Sequence, residues 1–284
     1  MFRKMLPIIL ILTLALTACD LHIDLPVTQK AGPTITDQIN LPLPSDATQT
    51  VDMTLKFGAG TLKLHPGTDA LVSGTATYNV SDFKPTVTLN GSTASVVQGN
   101  WRLTGIPDIS NIKNEWDLAL GSVPTALTID AGAYHAEYEL GGLALTNLTI
   151  SDGAADTKLN FASPNFTAMS LLSYSTGASN VSLTGLGNAN FDSLEFNSGA
   201  GNYTLDFSGQ FQRNGSVHIG TGVSNLTLVI PSGIPAQITV DGGLSNVTHD
   251  SGWNKNGSVY SQSGSGPQLT IVVEIGAGNL TITR

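Results

Sequence analysis

One short pattern returns eight times in this chain and limits what it can fold into. An apolar residue, a spacer and a second apolar residue are followed by two spacers, a glycine and another apolar alternation. One copy reads Leu194, Phe196, Gly199, Ala200, Asn202, Tyr203, Leu205; the next reads Val217, Ile219, Gly222, Asn225, Leu226, Leu228. Around Gly132, Gly153, Gly177 and Gly243 the leading pairs are Leu127/Ile129, Leu148/Ile150, Leu172/Tyr174 and Ile238/Val240. Outlying copies centre on Gly58 (Met53, Leu55, then Leu62, Leu64) and Gly276 (Ile271, Val273, then Leu280, Ile282). From Gly132 to Gly243 the glycines lie 21, 24, 22, 23 and 21 residues apart. Alternation with a period of two is a strand signal, and its return at a fixed interval is a solenoid signal. The expected fold is all-β: a single-stranded parallel β-solenoid, β-helix-like, with rungs of about 22 residues.

Stacking such rungs in chain order places equivalent positions about 4.8 Å apart. Positions four and six after each glycine (Val181/Leu183, Tyr203/Leu205, Leu226/Leu228) should face inward and position five outward. The glycines themselves imply either a positive φ or a close approach of backbones. Asn180, Asn202, Asn225, Asn246 and Asn279 all stand three residues after a glycine, where their amides can bond from rung to rung as a ladder.

The remaining composition fits this shape. Apolar residues make up 40% of 284 and charged residues only 12%. The formal charge is −9, or −11 once Arg3 and Lys4 are removed with a leader. Such a surface repels nucleic acid and attracts cations or cationic peptides. With one cysteine there is no internal disulfide.

That cysteine closes a leader. Arg3 and Lys4 precede the apolar run Met5–Ala18, which is too short to span a bilayer comfortably. Leu16-Thr17-Ala18-Cys19 resembles a bacterial lipobox, which implies cleavage before Cys19 and its lipidation. Several acyl chains, at about 0.8 kcal/mol per buried CH₂, would make a lasting anchor on the outer side of the cell membrane. The organisation expected is a signal peptide over 1–18, a Pro-rich tether over 19–48, a first β domain over 49–100 and repeats over 101–284 continuous with it. The end of the tether, around Ile39 to Leu43, reads equally as an edge strand. Strand-like runs follow at Leu71–Tyr78, Pro85–Leu89 and Thr93–Gln98, and a helical turn is expected within Ile109–Glu115.

The stretch FGAGTLKLHPGTDALVSGTATYNVSDFKPTV, from Phe57, resembles the N-terminal domain of the bacterial toast-rack family. NEWDLALGSVPTALTIDAGA and GAGNYTLDFSG resemble the repeats behind it. The resemblance runs from about Thr50 to the C-terminus and extends to Lia-type cell-wall-active-antibiotic-response proteins and to candidate adhesin domains. It implies a β-solenoid outside the membrane and supplies no catalytic residues. Lia-type proteins carry membrane-spanning helices before this domain, where this chain has Cys19.

Stacking the rungs also sets charged residues at shared positions. Glu137 and Lys158 share an outward position on successive rungs and should form an ion pair. His135 and Asp156 share the position of the ladder asparagines; with no Ser or Cys nucleophile beside them, they read as a polar turn contact. Glycan cleavage needs two carboxylates within about 5–10 Å. Asp130 and Asp241 stack five rungs apart in chain order, about 24 Å; Glu139 and Asp206 are three apart. Asp192 and Glu195, placed in a loop, are the remaining candidate pair. The five histidines show no metal-ligand spacing, and the glycine turns lead into strands rather than into the helix N-terminus of a phosphate site. Asn-x-Ser/Thr triplets, as at Asn147, come with the turn-then-strand composition. Trp101, Trp116 and Trp253 lie outside the rungs and read as caps over core more readily than as sugar platforms. A Ser/Gly/Asn-rich stretch, Gly252–Gly266, lengthens the last interval to 33 residues and reads as a bulging loop.

These observations point to a non-enzymatic, lipid-anchored envelope protein serving binding, adhesion or envelope stress. It has no expected cofactor, metal or nucleic-acid partner. Expected partners are the membrane through Cys19 and cell-wall glycan, a cationic peptide or another envelope protein. The alternative is a carbohydrate-active solenoid enzyme.

Overall fold

The computed structural model describes residues 31–99 and 111–284. Cys19, His22 and Trp101 lie outside the described residues. Fifteen strands form one sheet. They are β1 (Ile35–Leu41), β2 (Val51–Pro66), β3 (Val72–Tyr78), β4 (Pro85–Asn90), β5 (Thr93–Gln98), β6 (Asn114–Leu120), β7 (Thr125–Glu139) and β8 (Leu145–Asn160). After these come β9 (Met169–Thr184), β10 (Phe191–Asp206), β11 (Gly215–Val229), β12 (Ala236–His249), β13 (Asn254–Asn256), β14 (Val259–Gln262) and β15 (Leu269–Thr283).

The eight glycine-centred copies are the eight long strands β2, β7 to β12 and β15. Each is a rung of two arms bent at its glycine, paired in parallel with the rungs above and below. The all-β solenoid expected from the repeat is therefore the fold. The alternation has a direct physical cause: in β10, Leu194, Phe196, Tyr203 and Leu205 are at most 1% exposed, while the residues between them face out. Fully burying one such side chain stabilises by about 1.5–3 kcal/mol. Repetition over eight rungs makes one continuous core.

The glycines answer the second of the two sequence readings, close approach. A Cβ on Gly132 would lie 2.3 Å from the carbonyl oxygen of Gly58, one on Gly177 2.4 Å from that of Gly153, and one on Gly199 2.5 Å from that of Gly177. At these three bends the rung rests on the backbone of its neighbour, and no side chain fits between them.

The order of the rungs departs from chain order. The sheet runs β2-β7-β8-β9-β10-β11-β15-β12, so the last strand lies between β11 and β12. Gly276 accordingly packs on Gly222, and Gly243 on Gly276. The cause lies in the stretch expected to be a loop. Residues within 252–266 form the hairpin β13–β14, and β14 pairs antiparallel with the first arm of β12, Ala236–Thr239. That occupies the outer edge of β12, so β15 pairs along its inner edge. Tyr260 and Trp253 of this segment are buried over the core. It is a cap, not a bulge.

The other end is capped strand by strand. β5 pairs with the first arm of β2 and β6 with the second, and β6 continues to β3 and β1. The edge-strand reading around Ile39 to Leu43 holds over residues 39–41, where β1 ends; the strand begins earlier, at Ile35. Of the helical turn expected within Ile109–Glu115, Asn111 is in a 3₁₀ turn while Asn114 and Glu115 open strand β6; Ile109 lies outside the described residues. Trp116 is in that strand, 1% exposed and edge-on to Phe57 at 5.2 Å. Burial removes Trp116 and Trp253 from consideration as sugar platforms.

Candidate functional surface

The outer face of the second arms is the most regular surface of the molecule. One residue past the bend stand Ala178, Ala200, Val223 and Ala277, aligned in register across β9, β10, β11 and β15. Three past it stand Asn180, Asn202, Asn225, Asn279 and Asn246, and five past it Ser182, Thr204, Thr227, Thr281 and Thr248. The expected ladder is present over four of the five asparagines, from Asn180 to Asn279. Asn202 Nδ2 donates to Asn180 Oδ1 at 2.9 Å, Asn225 Nδ2 to Asn202 Oδ1 at 2.9 Å, and Asn279 Nδ2 to Asn225 Oδ1 at 2.7 Å. The step from 225 to 279 records the inserted strand. Each inner amide spends one N–H and one lone pair on the ladder and keeps one of each for solvent or a ligand. Across these rungs the three columns carry no charged residue.

Toward β2 the same columns become charged. Glu137 pairs with Lys63 of β2 at 2.7 Å, and among the described residues Lys158 is not within ion-pair distance of it. The expected Glu137–Lys158 pair is replaced because β2, an outlying copy in sequence, is the neighbour of β7 in space. The Lys63 ammonium holds the Glu137 carboxyl below its usual range. His135 Nδ1 lies 3.3 Å from Asp156 and its Nε2 lies 3.5 Å from Glu137, an exposed polar contact as read from the sequence.

The acids sort differently from the sequence reading. Asp192 and Glu195 lie on β10 rather than in a loop, and Asp192 is paired with Arg213 at 2.9 Å. Glu139 is a structural clamp, accepting from the backbone N–H groups of Gly141 and Ala162 and from Asn160 Nδ2. Asp206 accepts from the N–H of Ser208. Asp130 and Asp241 are six rungs apart, not five, because β15 intervenes. Asp241 also lies beside Glu274, which holds the same position two before the glycine on the neighbouring rung. Both are exposed in a shallow depression lined by Gly220, Thr221, Gly242, Gly243, Ile275 and Gly276. No aromatic ring lines it, and Glu274 has His218 4.0 Å away. A glycosidase acid is held protonated by an apolar, buried setting, which this pair lacks.

A groove of about 700 Å³ lies at the bends of β2, β7 and β8, with Lys56 and Asp130 paired at 3.2 Å on its rim and Phe57, Ala131 and Ala133 in its wall. Asp152 at its edge turns into the core. Its carboxylate accepts from Tyr174 at 2.7 Å, from Tyr134 at 3.3 Å and from Thr176. Tyr138 donates to Tyr134 at 3.2 Å. Burial pushes the Tyr134 hydroxyl up to about 12, and those of Tyr138 and Tyr174 further up. No sequence signal marked this network, since tyrosine, threonine and aspartate appear there at positions that other rungs fill with apolar or small residues.

The family model for the N-terminal domain of toast-rack, DUF2154, matches residues 30–171, half of the sequence. The chain belongs to the toast-rack family. The matched span runs across residue 100, as does the sheet, through the β2–β7 pairing. A comparison with curated proteins returns no match. Among solved structures, a candidate cell adhesion protein from Clostridium sporogenes aligns over 88% of this toast-rack chain and 99% of its own, with a TM-score of 0.50 and 17% identity. A candidate adhesin from Bacteroides fragilis (TM-score 0.38, 10% identity) and a candidate lipid binding protein from Parabacteroides distasonis (0.39, 11%) each align over 88% of this chain and 97% of their own. At these identities the likeness concerns the fold.

Proposed function

We propose that this protein is a non-catalytic binding scaffold of the cell envelope, held to the outer side of the membrane by acyl chains on Cys19. It contacts extended neutral polymers, cell-wall glycan first among them, along the outer face of its second arms. The observation that carries the reading is the asparagine ladder. A rigid row of half-used amides beside a row of hydroxyls, repeating every ~4.8 Å, matches a polymer that repeats hydroxyl donors and acceptors. The absence of charge across those columns favours glycan over cationic peptide. Adhesion-type naming of the structural neighbours agrees with a surface role.

The test is binding of the chain from residue 20 onward to purified peptidoglycan and soluble glycans, at low and high salt. The expected result is salt-insensitive binding that weakens at least tenfold, or about 1.4 kcal/mol, in the Asn202→Ala/Asn225→Ala double variant. No glycan binding, or salt-sensitive binding of cationic peptides instead, contradicts it. Release of soluble fragments would establish the enzyme. The anchor is checked by mass spectrometry of the membrane-extracted protein: an acylated Cys19 is expected, and an unmodified one contradicts it.

A further inference from the structure

Sheet edges left unpaired are templates for further strands, and proteins blunt them with charge, proline or brevity. Four such edges exist among the described residues, and three are blunted. β1 carries Asp37 and is flanked by Pro33 and Pro42; β4 begins at Pro85 after Lys84; β13 is three residues long with Lys255 in the middle. The fourth is the second arm of the end rung. The hairpin pairs with β12 over Ala236–Thr239 and accepts one further bond from the N–H of Val240 at Ser258, so the outer edge of residues 244–249 has no strand beside it. Those six residues, Leu-Ser-Asn-Val-Thr-His, contain neither proline nor an acidic or basic side chain other than His249. The next carboxylate, Asp250, is engaged inward: it accepts from Thr283 Oγ1 at 2.8 Å and from the N–H of Arg284 at 3.0 Å. The anchor end of the solenoid, by contrast, has both arms of β2 covered.

We infer that this edge pairs with the same edge of a second copy, antiparallel about a two-fold axis. An identical strand brings the same alternation, Val247 toward the core with Asn246 and Thr248 outside, so both faces continue across the junction. Charge selects the same meeting point. Two chains of net charge −9 repel over most orientations, and this strip brings no like charges together. Edge pairing continues the stack, so the two solenoids lie end to end with their β2 poles outermost. Sixteen rungs at about 4.8 Å place those poles roughly 75 Å apart. Such a dimer joins two opposing membranes rather than two molecules side by side on one. That placement rests on the proposed anchor at Cys19, whereas the pairing itself does not.

The test is sedimentation velocity of the chain from residue 20 onward over a concentration series, with pulsed EPR between spin labels at Asn90→Cys in the β4–β5 turn. A concentration-dependent dimer is expected, with labels more than about 60 Å apart at the ladder spacing. Thr248→Lys and, separately, Asn246→Lys should each weaken the dimer at least tenfold while circular dichroism stays unchanged. Thr204→Lys, in the same column at mid-solenoid, should leave it intact. A monomer at every concentration, a dimer indifferent to both edge lysines, or a short label distance overturns the inference. The glycan assay uses Asn202 and Asn225 in the middle of the solenoid, so either proposal can fail without the other.

Discussion

Replacing a bend glycine by alanine adds one methyl group where two backbones meet, and its effect is legible rung by rung. At Gly199 the new Cβ would lie 2.5 Å from the carbonyl oxygen of Gly177. Relief requires the two rungs to part by close to an ångström, which overpacks the bend at about 1–3 kcal/mol and weakens at least one ladder hydrogen bond worth about 1 kcal/mol. At Gly153 the same methyl group would stand 3.2 Å from the oxygen of Gly132, a contact that a few tenths of an ångström relieves. Neither glycine has the positive φ that would add strain of its own. Alanine also restricts the unfolded chain by about 0.4–1 kcal/mol in favour of folding, which offsets most of the cost at Gly153. With the same offset applied, Gly199→Ala is expected to destabilise by about 1–3.5 kcal/mol and Gly153→Ala by less than about 1 kcal/mol. Urea unfolding followed by circular dichroism measures both. Equal losses in the two variants, or a larger loss at Gly153, would refute the claim that close approach is what selects glycine.

Two more expectations concern the interior. Asp152→Ala leaves the buried Tyr174 hydroxyl without its acceptor, at a cost of about 1–3 kcal/mol in urea unfolding; an unchanged midpoint contradicts the network. The tyrosines also set an alkaline limit. Tyr134 is raised to about 12 by burial, so its contribution is complete below the ordinary tyrosine value near 10 and is lost as pH rises from there through about 12. Stability should be flat from pH 8 to 9.5 and fall above 10, with tyrosinate absorbance lagging behind that of a model phenol. Full ionisation of the folded protein near pH 10 would contradict the buried placement.

The rungs themselves were legible because burial imposes alternation and close approach at most bends selects glycine, and both leave marks along the chain. The ladder was legible for the same reason: five asparagines at one offset face the same neighbours. The order of the last two rungs was not. β12 and β15 carry the same glycine, the same Asn and Thr and similar apolar residues, so each fits either slot, and the choice is made by a hairpin whose short strands have no sustained alternation. That one unreadable step displaced Asp241 by a rung and set His218 of β11 against Glu274 of β15. The Glu137 partner was missed for a related reason, since Gly58 and Gly132 lie far apart in sequence while Lys63 and Glu137 touch. The Asp152 network left no repeat to read, because it occurs in one place.

The inserted strand decides which residues make up the ladder and which strand ends the solenoid. Paired cysteines in the chain from residue 20 onward, which has no native thiol, test it directly. In the observed order Thr227 and Thr281 are neighbours and Thr227 and Thr248 are two rungs apart. A disulfide needs Cα atoms within about 7 Å, one rung but not two. Thr227→Cys/Thr281→Cys should therefore oxidise to an intramolecular disulfide, and Thr227→Cys/Thr248→Cys should not. The opposite outcome would mean that the rungs follow chain order.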